Sequence, residues 1–155
     1  MNIALLAVLL GAEPGDVISA DRIDTLRSTL DAAEANWRTH APASYRYQLT
    51  SGGPFGATMH AISVTGGECK AKMRTKFGRK VSAWKPASCD GYSIADILAE
   101  LRRQLSLPQE RIELAFDATY GFPTIASFEP HSEIHDQSEY FEIKAFRARE
   151  RGRGP

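Results

Sequence analysis

An α+β fold, with an antiparallel sheet covered on one face by helices, follows from three features of this 155-residue chain. Apolar residues recur at spacings of three and four in two separate segments, other segments alternate apolar with polar residues, and the order is helix, strands, helix, strands. A chain of this length buries most of an ordinary core as one domain, without help from a metal or a partner. Its composition, 43% hydrophobic and 25% charged with 12 Gly and 8 Pro, excludes collagen-like and wholly disordered classes.

Residues 3–10 (IALLAVLL) form an unbroken apolar run, followed by the turn-forming EPGD and by Ile18 and Ala20, which suit a small-residue cleavage site. We read residues 1–20 as a truncated signal-like segment, because only Met1 and Asn2 precede the run and no positive charge does. The other reading is a buried strand or an extra helical turn. A transmembrane helix is excluded, since spanning needs about 20 apolar residues. No Cys nearby offers a lipid-attachment point. The expected domain covers 21–146, and 147–155 reads as a basic flexible tail.

The first helix is expected from Asp21 to about Trp37, where Ile23, Leu26, Leu30, Ala33 and Trp37 line one face; Asp21 is its expected cap, and His40 with Pro42 ends it. In YRYQLT, Tyr45, Tyr47 and Leu49 point one way and Arg46, Gln48 and Thr50 the other, the pattern of a strand. Ser51-Gly52-Gly53-Pro54 is read as a loop, and no Lys-Ser/Thr follows it to cradle a phosphate.

The stretch MHAISVTGGECKAKMR predicts a hairpin. A two-residue primed turn at Gly66-Gly67 pairs Thr65 with Glu68, Val64 with Cys69, Ile62 with Ala71 and His60 with Met73. Every pair then shares a face: Ile62, Val64, Cys69, Ala71 and Met73 on an apolar side, Ser63, Thr65, Glu68, Lys70, Lys72 and Arg74 on a polar one. A slip of one residue would destroy the match. Cys69 then faces the core, where Cys89 can reach it from the start of the next helix. An even cysteine count in an exported chain favours one disulfide, Cys69 to Cys89, over two buried thiols in a cytosolic one.

Between the cysteines lie Lys70, Lys72, Arg74, Lys76, Arg79, Lys80 and Lys85 with no acid, whereas Glu110, Glu113, Asp117, Glu129, Glu133, Asp136, Glu139 and Glu142 dominate farther on, although the net charge is zero. The basic stretch reads either as an anion-binding surface or as one of two solvated faces. Residues 81–84 are expected as a short or irregular edge strand. Phe77 and Trp84 among the cations resemble a stacking surface for nucleic acid, a target that export disfavours.

Ser93 caps the second helix with Asp96 three residues on, and Ile94, Ile97, Leu98, Leu101 and Leu105 form its stripe. Arg102 and Arg103 complement the dipole at its end, and Pro108 stops it. Strands are expected over 112–116, 124–128 and 140–146. In FDATYGFPTIASF, Asp117 suits bonding to turn amides, Gly121 a positive φ, and Pro123 the start of a strand. A turn requires neither Tyr120 nor Phe122.

Trp37, Tyr45-x-Tyr47, the helix opening Ser-Ile-x-Asp at 93–96, and Phe116-Asp117-x-x-x-Gly121-Phe122-Pro123 together resemble an uncharacterised bacterial family of small exported proteins and lipoproteins, a domain of unknown function. The family's central motif is Tyr-Asp-x-x-x-Gly-Tyr-Pro, so Phe116 and Phe122 stand for its tyrosines. The resemblance spans roughly 35–146. It implies export and an α+β fold, and no activity; the missing lipid-attachment Cys departs from the lipoprotein members.

His131, Glu133 and His135 alternate in FEPHSEIHDQ and would project to one side of an extended segment, a donor set suited to a divalent ion, set against a plain polar connection. Asp117 and Asp136 are candidates for a carboxylate pair, and no GxSxG nucleophile elbow or cofactor motif is present. The preferred reading is an exported, periplasmic or secreted, non-enzymatic module that binds a protein or a cell-envelope component, with Tyr120 and Phe122 as anchors if exposed and no cofactor. The alternatives are a metal-dependent enzyme at the His131 loop, an anion-binding surface at the basic stretch, and a cytoplasmic location.

Overall fold

The computed structural model describes residues 6–11, 17–53, 56–130 and 139–149. In chain order these form β1 (Leu6–Gly11), α1 (Ala20–His40), β2 (Ser44–Gly53), β3 (Gly56–Thr65), β4 (Glu68–Phe77), β5 (Lys80–Val81), β6 (Lys85–Ala87), α2 (Ile94–Gln104), β7 (Gln109–Phe116), β8 (Pro123–Pro130) and β9 (Glu139–Ala148). All strands join one nine-stranded antiparallel sheet in the order β1-β7-β8-β9-β2-β3-β4-β5, with β6 on β4. Each helix leads a three-strand meander, β2-β3-β4 or β7-β8-β9, and the meanders are sewn together where β9 pairs with β2. The fold is therefore α+β with a single sheet.

The helices lie on one face. Leu26, Leu30, Ala33 and Trp37 of α1 and Ile94, Ile97, Leu98 and Leu101 of α2 are buried with Tyr47, Leu49, Ile62, Ile112, Leu114, Ala126, Phe128 and Ile143 of the sheet. Arg102 of α2 spans the helix pair to Asp31 (2.5 Å) and Glu34 (2.9 Å) of α1 on the solvent side. The capping box at α2 is complete: the Ser93 hydroxyl accepts the Asp96 N–H at 3.0 Å, and the Asp96 carboxylate accepts the Ser93 N–H at 3.3 Å.

The cap expected at Asp21 is displaced. Ser19 is the N-cap, in extended backbone, and Asp21 sits inside the first turn, where its charge still favours the helix dipole. The reason is tertiary: Ile18 is buried and its N–H donates to the Gln109 carbonyl of β7 at 2.9 Å, so the chain is held extended up to Ser19. Leu6–Gly11, within the segment 1–20 read as signal-like, pairs with β7 from Leu6↔Phe116 to Gly11↔Arg111. At the other end β9 includes Arg147 and Ala148, assigned above to the tail, which pair with Arg46 and Tyr45.

The hairpin at Gly66-Gly67 has the expected register, from Thr65↔Glu68 through Val64↔Cys69 and Ile62↔Ala71 to His60↔Met73. Both glycines have positive φ (58° and 87°), as a type I′ turn demands. Cys69 and Cys89 form a disulfide, which ties β4 to the loop before α2. The short or irregular edge strand expected over 81–84 takes the form of two pieces. Lys80–Val81 folds back on β4 and Lys85–Ala87 pairs farther along it, because the Ser82 hydroxyl accepts the Thr75 N–H at 2.9 Å, taking the place of a ladder carbonyl.

Inside the sandwich His60 is 2% exposed, its ring 4.0 Å from that of Tyr92, and its Nδ1 has no partner among the described residues. Burial lowers its pKa. The native state therefore holds neutral imidazole while the unfolded chain takes up a proton below about pH 6.5. Stability from this group is fully present above that pH and declines as pH falls through 6.5 toward the lower folded value. Thermal unfolding followed across pH 5 to 8 is expected to show a flat upper limb and a fall below roughly 6.5, and a His60→Gln variant should flatten that limb. An unchanged slope in the variant would assign the acid sensitivity elsewhere.

Candidate functional site

The motif residues meet in an aromatic cluster beneath α1. Trp37 packs edge-on to Tyr45 (ring centroids 5.3 Å apart), Tyr45 stacks on Tyr47 (6.1 Å) and on Phe146 (5.7 Å), and Phe146 stacks on Phe122 at 4.2 Å. Phe122 is 4% exposed, so the anchor expected there is a core residue; Tyr120 is half-buried against Phe146. The two aromatics that no turn requires are present because the helix–sheet interface needs filling.

Asp117 is likewise occupied. Its Oδ1 accepts the N–H groups of Thr119 (3.0 Å) and Tyr120 (2.8 Å), while its own N–H donates to the Phe122 carbonyl and its carbonyl accepts from Gly121. Asn36 of α1 donates to the Ala118 and Thr119 carbonyls at 3.4 and 3.3 Å, clamping the turn to the helix. The carboxylate thus serves the turn. Asp136, His131, Glu133 and His135 lie outside the described residues. Among the described residues no group of three or more His, Cys, Asp or Glu is placed to hold a metal.

The uncovered face of the sheet carries a different constellation. Backbone register aligns Arg147, Arg46, Ser63 and Lys70 in one row across β9, β2, β3 and β4, and Lys144, Gln48, Ala61 and Lys72 in the next. Long cationic side chains therefore flank short ones along β3. Arg46, Gln48, Ala61, Ser63, Lys70, Lys72, Ala145 and Arg147 line a depression of about 510 Å³, and a second of about 310 Å³ adjoins it through Arg46, Ser63 and Arg147 and adds Arg149. With strands about 4.8 Å apart, Arg46 and Lys70 stand roughly 10 Å apart across the floor. No acid among the described residues lines either depression. Lys144 is held by Glu142 at 2.9 Å.

One backbone feature builds this row. The β2–β9 register shifts between Arg46 and Gln48, and Ala145, opposite the shift, has φ of 53°. Without that bulge, the alternation that puts Ile143 inside and Lys144 outside would turn Phe146 out and Arg147 in. With it, Phe146 enters the aromatic cluster and Arg147 stands directly beside Arg46 on the open face. Left-handed backbone at a residue with a Cβ costs about 1–2 kcal/mol, and like charges opposite each other on a sheet repel. The fold bears both.

Residues 29–148 match a family of unknown function (DUF6174). The chain belongs to that family. Its span takes in the aromatic cluster, the motif turn and the trough cations Arg46, Lys70, Lys72 and Arg147, and leaves β1 outside. The residues that carry the resemblance in the sequence thus build the aromatic cluster, the α2 cap and the motif turn, and a family of unknown function assigns no role to the trough. A comparison with curated proteins found no match.

Of the basic stretch singled out in the sequence, Lys70 and Lys72 reach the trough, while Arg74 lies over the Trp84 ring at 4.5 Å and Lys76, Arg79, Lys80 and Lys85 are exposed toward the far end of β4 or beyond it. Arg46 was legible as a polar-face residue of its strand. Arg147 was not, because its direction depends on the bulge. The disulfide is compatible with an oxidising compartment, and no helix among the described residues is long and apolar enough to cross a membrane.

Proposed function

We propose that this protein is an exported, non-enzymatic module that binds a linear, phosphate-bearing polymer of the cell envelope in the trough on its open sheet face. The observation that carries this reading is the row Arg147, Arg46, Ser63, Lys70, in which cations stand on both sides of a short floor with no described acid among them. A solvated face would gain from interspersed acids, as the Lys144–Glu142 pair shows one row away. Guanidinium forks at Arg46 and Arg147 suit two-point contact with phosphate, and the lysines add charge from the opposite wall. A trough one side chain wide along β3 fits a single extended chain rather than a flat surface. Export is supported by the Cys69–Cys89 disulfide, which is compatible with an oxidising compartment.

The test uses polyphosphate as the probe, with neutral dextran as control, in titration calorimetry at low and high salt. Wild type should bind polyphosphate with an affinity that falls steeply with salt, and Arg46→Gln with Arg147→Gln should weaken it by roughly tenfold or more at low salt. Equal affinity in the double variant, or equal binding of dextran, would overturn the reading. Both substitutions lie on the solvent face, so circular dichroism should stay unchanged.

A further inference from the structure

The far end of β4 is built differently from the trough. Phe77 is 69% exposed, Val81 48% and Trp84 36%, a local concentration of large apolar side chains that the helices leave uncovered. Phe77 and Lys80 face each other across a tight turn at Gly78 (φ 57°) and Arg79, and Val81 pairs with Lys76. Because these pairs alternate in face, the ribbon shows Phe77 on one side and Val81 on the other. Lys76, Arg79, Lys80 and Lys85 surround them, all exposed. The Arg74 guanidinium over the Trp84 ring holds the indole at the base of the tip.

We infer that the β4–β5 tip, with Phe77, Val81 and Trp84 inside a collar of Lys76, Arg79, Lys80 and Lys85, is a docking surface for an anionic phospholipid bilayer. The chemistry fits at two depths. Aromatic and aliphatic side chains gain by leaving water for the boundary between headgroups and acyl chains, where tryptophan is favoured. Lysine and arginine beside them meet the anionic headgroups, with their alkyl stems lying against the apolar layer. Single-stranded nucleic acid is the competing occupant, since aromatics among cations also stack bases. Val81 favours the bilayer, because an aliphatic side chain on the ribbon's second face offers no stacking surface. The disulfide, compatible with an oxidising compartment, points the same way.

The chain has two tryptophans, and Trp37 is 7% exposed in the core, so a change of emission on binding reports Trp84. The full chain is mixed with vesicles of phosphatidylglycerol and phosphatidylcholine, with pure phosphatidylcholine vesicles, and with a single-stranded oligonucleotide. With the anionic vesicles, a blue shift and quenching by brominated acyl chains are expected. Trp84→Phe should lose the shift yet still sediment with the vesicles. Phe77→Asp with Val81→Asp should reduce sedimentation by about tenfold or more while leaving the circular dichroism unchanged. Arg46→Gln with Arg147→Gln should sediment like wild type, which separates this surface from the trough. No blue shift with anionic vesicles, an equal response to pure phosphatidylcholine, or a response to the oligonucleotide alone would overturn the inference.

Discussion

Gly121→Ala is expected to be among the most destabilising single substitutions in this domain. Gly121 has φ of 81°, and a Cβ there would lie 2.3 Å from the Ala33 carbonyl oxygen and 3.1 Å from its carbon, which are backbone of α1 and cannot rotate away. Left-handed backbone with a Cβ costs about 1–2 kcal/mol, and forcing α1 off the turn adds roughly 1–3 kcal/mol. The displacement would also strain the Asn36 clamp on Ala118 and Thr119. Gly66→Ala is the matched control: φ is 58° and nothing lies within 4 Å of the added atom, so only the backbone cost of about 1–2 kcal/mol remains. Denaturant unfolding of both variants checks the difference. If Gly121→Ala shifts the midpoint no more than Gly66→Ala, the close approach of the motif turn to α1 is wrong.

Removing the disulfide should rank with it. Cys69 and Cys89 are separated by 20 residues, and in the chain-entropy account closing such a loop stabilises the fold by about 3 kcal/mol. For a domain of this size that corresponds to roughly 10 °C in Tm. The native state adds a reason. The loop behind Cys89 carries Tyr92, whose carbonyl accepts the Tyr47 hydroxyl and whose ring covers His60, so the bridge also holds the lid over the sheet's buried histidine. Cys69→Ala with Cys89→Ala, compared with the oxidised wild type by calorimetry, should show the loss, and reducing agent should lower Tm in wild type alone. A double variant as stable as wild type would mean that the sandwich packing already fixes this loop.

How far the sequence could be read depends on how local each feature is. The α2 stripe and its Ser93–Asp96 box, the inward Tyr47 and Leu49, and the Gly66-Gly67 hairpin with its register all follow from periodicity and turn chemistry within a few residues. The Cys69–Cys89 bridge followed from that register. Where a side-chain bond competes with the ladder, the local reading reaches only as far as a short or irregular edge: Ser82, taking the Thr75 N–H, splits that edge into Lys80–Val81 and Lys85–Ala87. At α1, a contact from Ile18 to β7 moved the start of the helix away from Asp21. The exposure of Phe122 was open in the sequence, because its burial depends on Phe146, which comes from the last strand.

The sequence by itself therefore determined the fold class, the two helix-then-strands units, the hairpin register and the disulfide, since alternation, helical spacing and glycine turns act over short stretches of chain. Only the tertiary structure decided that β9 joins β2 to make one sheet, and that the bulge at Ala145 turns Phe146 into the aromatic cluster and Arg147 toward Arg46. That choice weighs the filling of an aromatic core against a strained backbone, and its terms come from residues more than a hundred positions apart in the chain.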